Sequence, residues 1–92
     1  MIYEIQYMPE SLNDIADLKK TDIQAYKKVI NLIKELHEHP RIGTGKPKLL
    51  KHGKFNGLWS RRITSKHRLV YAIKDIEIVV LILSDKGHYD DK

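Results

Sequence analysis

Apolar and polar residues alternate over residues 2–7, Ile-Tyr-Glu-Ile-Gln-Tyr, so that Tyr3, Ile5 and Tyr7 share one face and Glu4 and Gln6 the other. A period of two predicts a strand. Pro9 suits the first turn of a helix, where no backbone donor is missed. From Ser11 to Lys20, Leu12, Ile15, Ala16 and Leu18 gather roughly on one side, which predicts a short amphipathic helix. Thr21 and Gln24 have capping-box spacing, and Asp22 adds negative charge at the positive end of a second helix. There Ile23, Tyr26, Ile30 and Ile33 recur at steps of three and four, joined by Val29 and Leu36. Lys27, Lys28, Asn31, Lys34, Glu35 and Glu38 mark the opposite face. Pro40 stops the pattern, so this helix is predicted to run to about His39 and to pair with the first as a hairpin.

Pro40, Gly43, Gly45, Pro47, Gly53 and Gly57 make residues 40–57 mostly loop, with a short strand near Leu49–Lys51. Three further strands are predicted at Leu58–Ile63, Arg68–Ile73 and Ile76–Leu83. Their connections are too short for a crossover, so these strands must be antiparallel neighbours. Ile78 to Leu83 is continuously apolar, as in a central strand covered on both faces. The order β-α-α-β-β-β reads as α+β: an N-terminal strand, a two-helix hairpin, then a twisted, mainly antiparallel sheet with the hairpin on one face.

The length of 92 residues and a hydrophobic share of 41% suit a single domain over residues 1–92 with one core. The absence of cysteine excludes disulfides, a thiolate nucleophile and cysteine-ligated zinc. No apolar run approaches the roughly 20 residues that span a bilayer, and the start lacks the basic and apolar regions of a secretion signal. No membrane association and a cytoplasmic location are the expectation. Charge alters the picture more. Residues 1–45 carry six Lys or Arg and seven Asp or Glu, whereas residues 46–92 carry eleven and five. Between Glu38 and Asp75 there is no acidic residue at all. Such a half attracts polyanions, nucleic acid foremost, although a merely solvated basic face has the same composition.

Familiar catalytic patterns are missing. Gly43-Thr44-Gly45-Lys46 lacks the length and the leading strand of a phosphate-binding loop, no HExxH occurs, and no nucleophile elbow surrounds any serine. The basic strand pair carries more. In Trp59-Ser60-Arg61-Arg62-Ile63, alternation places Trp59, Arg61 and Ile63 on one face and Ser60 and Arg62 on the other. In His67-Arg68-Leu69-Val70-Tyr71, Arg68 shares a face with Val70, and His67 with Leu69 and Tyr71. A guanidinium beside strand-core residues must find an anion or stay wet. Arg62 and Arg68 therefore either converge on a phosphate or pair with acids from the helices. His88-Tyr89 follows the last strand: His can give a proton to a leaving oxygen and Tyr can stack on a base, or both are incidental to a frayed terminus.

Taken together, Gly43-Thr44-Gly45-Lys46-Pro47, Leu50-Lys51-His52, Gly57-Leu58-Trp59-Ser60-Arg61-Arg62-Ile63, His67-Arg68-Leu69-Val70-Tyr71 and His88-Tyr89 resemble the YoeB/Txe toxins of the RelE/ParE superfamily. The resemblance covers essentially the whole chain and implies a RelE-like fold. It implies a toxin that inhibits translation as a ribosome-dependent endoribonuclease, cutting messenger RNA in the A site of the 70S ribosome. The ribose 2′-hydroxyl would attack the adjacent phosphate, leaving a cyclic phosphate and a free 5′-hydroxyl, with no metal or other cofactor. A YefM-like antitoxin would hold the toxin inactive, and a homodimer is a further family expectation. By position, the resemblance makes His88 the general acid, Arg68 the main phosphate stabiliser and Tyr89 an orienting residue. Arg62, Lys51, Lys46 and Arg61 would contact RNA.

At one position the chain departs from the family. After Gly-Lys-Pro the family normally has a Glu, taken as the general base, and here Lys48 stands there. A lysine is protonated at neutral pH unless burial or nearby cations lower its pKa. Lys48 thus acts as a neutral base, or stabilises the transition state as a cation, or leaves the base role to His52 or His67, or marks a chain that binds without cutting. The alternatives at the level of function are a catalytically weakened module that occupies the ribosome or sequesters antitoxin, and a ParE-like gyrase inhibitor on the same scaffold.

Overall fold

The computed structural model of the chain describes residues 2–85. Among them β1 (Glu4–Tyr7) leads into α1 (Pro9–Thr21) and α2 (Ile23–Leu36). Then come β2 (Lys48–Leu49), a single 3-10 turn at Gly53–Phe55, β3 (Trp59–Arg62), β4 (His67–Lys74) and β5 (Glu77–Asp85). The expected order forms, with the two-residue β2 added in the glycine-rich stretch. It begins one residue before the expected Leu49–Lys51 and ends two residues short of Lys51, although Leu50 continues the ladder with an N–H donated to the carbonyl of Leu58 at 2.7 Å.

Asp22 serves both helices, which corrects the expected capping by Thr21. Its N–H donates to the carbonyl of Leu18 at 2.8 Å, closing α1, and its Oδ1 accepts from the N–H of Ala25 at 3.1 Å, opening α2. Thr21 is still helical and turns its hydroxyl back to the carbonyl of Asp17. Thus one short acid, able to bond its own backbone neighbours, makes the hinge of the hairpin. The second helix stops at Leu36 rather than His39: past it the Glu38 and His39 N–H groups both donate to the Glu35 carbonyl, at 3.0 and 2.7 Å, so the chain ends in a tightened turn.

The sheet runs in the order β1-β5-β4-β3-β2. β1 is parallel to β5, the last strand of the chain, the helix hairpin carries the chain from β1 to β2 at the opposite edge, and the other neighbours are antiparallel. Opposite Val70 stands Ile82 and opposite Tyr71 stands Val80, so a bulge at Leu81 interrupts the β4–β5 register. Val29, Leu32, Ile33 and Leu36 of α2 pack with Leu18 of α1 against Ile63, Leu69, Tyr71, Ile78 and Val80 of the sheet. On the far face Leu50 and Val70 form a smaller cluster with Phe55 and Leu58. That cluster covers only part of the far face.

Candidate nucleic-acid interface

The far face carries the cations that the sequence singles out. Ser60 and Val70 are register partners, as are Lys48 and Ser60, so Lys48, Ser60 and Val70 form one row across β2, β3 and β4. The next row holds Arg62 opposite Arg68. Neither row contains an Asp or Glu across these three strands. The N–H of Arg62 donates to the carbonyl of Gly45 at 2.6 Å, away from β4, while the N–H of Ile63 donates to the carbonyl of His67 at 2.9 Å. Arg62 and Arg68 therefore face each other at a non-hydrogen-bonded position, where side chains lie closest. Two guanidinium groups set opposite each other on one face can take the oxygens of a single phosphate.

Lys51 and His52 line an open groove with Lys48, Leu49 and Leu50, so both stand beside the first row. Lys46 is exposed at the entry to β2 and holds a left-handed φ of 53°. His67 belongs to the other face: it alternates with Leu69 and Tyr71, and its Nδ1 lies 3.2 Å from the hydroxyl of Thr64. It is therefore badly placed to replace a base near Lys48, whereas His52 is on the right side. His88 and Tyr89 lie outside the described residues. Among the described residues no three His, Asp or Glu side chains form a metal-sized cluster.

Arg61 departs from the expectation of an RNA contact. It is fully buried on the helix side, and each of its five N–H groups has an acceptor. Nε donates to the hydroxyl of Tyr71 at 3.2 Å; Nη1 donates to Glu35 Oε1 at 2.7 Å and to the carbonyl of Thr44 at 3.2 Å. Nη2 donates to the carbonyl of His39 and, at 2.7 Å, to that of Ile42. The Tyr71 hydroxyl in turn donates to the carbonyl of Pro40 at 2.7 Å. Glu35 also accepts from the N–H and the hydroxyl of Thr44, at 2.9 and 2.5 Å. Burial alone pushes the Glu35 carboxyl up; the Thr44 hydrogen bonds and the Arg61 guanidinium reverse this and hold it below its ordinary value. A strand arginine does pair with a helix acid, but it is Arg61, for which an RNA contact was expected, and not Arg62 or Arg68. Glu35, Thr44, Gly43 and Gly45 were not singled out as site residues, and the only signal for them was the Gly-Thr-Gly pattern.

A family model described as "YoeB-like toxin of bacterial type II toxin-antitoxin system" matches residues 7–89. The chain belongs to the YoeB family of toxins. Toxin YoeB of Escherichia coli (strain K12) is 45% identical over 80 residues, covering 87% of this chain and 92% of the relative. Two solved Staphylococcus aureus structures align over 97% of this YoeB-family chain and all of theirs, each with a TM-score of 0.78. One is a YoeB–YefM complex at 29% identity and the other a YoeB dimer at 33%. The archaeal RelE–RelB complex from Pyrococcus horikoshii shares the fold at 19% identity, with a TM-score of 0.74 over 96% of this chain and 99% of that one. The YoeB match spans His88 and Tyr89 as well as every cation of the two rows.

Proposed function

We propose that this YoeB-family toxin inhibits translation as a ribosome-dependent messenger-RNA endonuclease. The observation that carries the reading is the shared face of Lys48, Arg62 and Arg68, set by strand register and turned away from the helices. In-line attack of a 2′-hydroxyl builds negative charge on the phosphate, and preformed cations at that point lower the barrier. Arg68 and Arg62 hold the phosphate, Lys48 adds a third charge, and Lys46 and Lys51 extend the surface along the RNA, while the proton of the attacking 2′-hydroxyl passes to His52, which shares the groove of Lys48, or to solvent water. His88 protonates the departing 5′-oxygen and Tyr89 orients it. The chemistry draws only on these side chains, with no metal required. Arg61 has no part in RNA contact. A YefM-like antitoxin is the partner, supported by the YoeB–YefM complex among the solved relatives, and the YoeB dimer supports self-association. Among the described residues no helix is long and apolar enough to cross a membrane, and action on ribosomes places the toxin in the cytoplasm.

Lys48 favours one second reading: a toxin that occupies the ribosome without cutting, because a lysine stands where the family has its carboxylate. Cleavage of a message on programmed ribosomes, with wild type, His88→Ala and Lys48→Glu side by side, separates the two. Cutting by wild type that His88→Ala abolishes supports the nuclease. Cutting only by Lys48→Glu supports the binding module. Silence from all three removes the nuclease and leaves pure binding or a ParE-like gyrase inhibitor.

A further inference from the structure

Residues 39–45 connect α2 to the cationic face, and this loop is held from two sides by consecutive residues of β3. The Arg61 side chain takes the carbonyls of His39, Ile42 and Thr44, while the Arg62 N–H takes that of Gly45. Tyr71 takes the carbonyl of Pro40. The two glycines leave the loop little alternative. A Cβ on Gly43, at φ 121°, would collide with Glu35 Oε1, and a Cβ on Gly45, at φ 85°, would lie 2.9 Å from the carbonyl oxygen of Arg62. Only Lys46 and Pro47 then separate the clamped loop from Lys48, and the proline ring fixes its own φ. A displacement at Gly45 therefore passes to Lys48 with little slack.

We propose that Arg61 is a positioning residue: with Glu35 and Thr44 it locks the 39–45 loop in the geometry that sets Lys46 and Lys48 beside Arg62 and Arg68. The proposal deepens the nuclease reading and rests on it for its catalytic consequence. Five donors in a planar fork meet five acceptors here, an arrangement that the three donors of a lysine cannot reproduce. Glu35 supplies the counter-charge to a fully buried guanidinium, and Thr44 joins that carboxylate to the loop. The same sequence step thus splits two arginines between two tasks: Arg62 meets the substrate, and Arg61 holds the arm that carries the neighbouring lysines.

The test compares wild type with Thr44→Val, Glu35→Gln and Arg61→Lys by two readouts. The first is hydrogen exchange at the Arg62 amide, whose partner is the Gly45 carbonyl. The second is the separation of kcat from KM for cleavage on programmed ribosomes. Thr44→Val is the mildest change and keeps the backbone contacts available, so it remains informative where Arg61→Lys fails to fold. The expected result is Arg62 exchange accelerated about tenfold relative to the β4 amides, with kcat lowered about tenfold and KM changed by less than about threefold. Arg61→Lys should give no rescue. Unchanged Arg62 exchange in Thr44→Val and Glu35→Gln overturns the clamp, and faster exchange with unchanged kcat overturns its role in catalysis. If wild type does not cut, the nuclease reading falls alone, and the Arg62 exchange rate decides the clamp by itself.

Discussion

Arg61 and Arg62 are adjacent and chemically identical, yet the fold predicts opposite consequences for their loss. Arg61→Met keeps most of the aliphatic stem and removes a charge and five donors from a site with no solvent exposure. Breaking a buried ion pair typically costs about 3–5 kcal/mol, much of it from the groups left behind. Here those groups are partly wet: the Glu35 side chain is 34% exposed and the loop residues His39, Ile42 and Thr44 lie at the surface. Water recovers some of the lost bonding, which puts the expectation at the low end, about 3 kcal/mol. For a domain of this size that corresponds to a fall in Tm of about 12–24 °C. Arg62→Met, at an exposed position, should stay within about 0.5 kcal/mol. Urea unfolding followed through Trp59, the single tryptophan of the chain, reports both variants on one scale. A loss below about 1 kcal/mol for Arg61→Met, or equal losses for the two, would refute the assignment of opposite faces to different work.

Other expectations follow from the same geometry. The Glu35 carboxyl lies below its ordinary value of 4.5 in the folded chain, so its contribution is present above that pH and is lost as pH falls through the folded value. The stability difference between wild type and Glu35→Gln should therefore be constant near neutrality and shrink below pH 4.5; a difference that grows on acidification would contradict the ion pair. The buried Ser60 hydroxyl has no hydrogen-bond partner among the described residues, so Ser60→Ala should be neutral or stabilising by up to about 1 kcal/mol, and a clear loss in thermal unfolding would reveal a partner. Gly45→Ala should destabilise by more than about 1 kcal/mol, because a Cβ meets the Arg62 carbonyl and the φ is left-handed; an unchanged urea midpoint would show that the loop is not docked. Ribosome affinity should fall with salt, and Arg62→Ala should lower the slope of log affinity against log salt by about one, whereas an unchanged slope would remove Arg62 from phosphate contact.

Much of the architecture was legible because it depends on local periodicity. The alternation of residues 2–7 became β1, the three- and four-residue spacing became α2, and the short links after β3 and β4 forced antiparallel pairing. What local pattern missed was settled by competition between nearby groups. Thr21 and Asp22 are both able caps, and Asp22 won because α1 runs one residue further and keeps the Thr21 hydroxyl for Asp17. The end of α2 was misjudged for a related reason. Pro40 sets an outer limit, but the Glu38 and His39 amides converge on one carbonyl, that of Glu35, and this tightened turn is not encoded in the helix periodicity.

The site illustrates the limit more sharply. Alternation correctly separated Arg61 from Arg62, since parity is a property of the strand itself. It could not say which parity faces the helices, because that depends on a carboxylate 26 residues away arriving at 2.7 Å from Nη1. The acid-free run from 39 to 74 therefore overstated the basic surface: one of its cations is fully consumed inside, and Glu35, just outside the run, is what consumes it. The same reasoning bears on Lys48. In the register it stands on the same face one row from Arg62 and Arg68, so where the family resemblance implies a carboxylate, Lys48 exchanges a proton acceptor for a further positive charge on the face proposed to hold phosphate. Binding should gain from that exchange and proton abstraction should lose. This is why restoring a carboxylate at residue 48 separates a cutting toxin from a holding one more cleanly than removing any of the arginines.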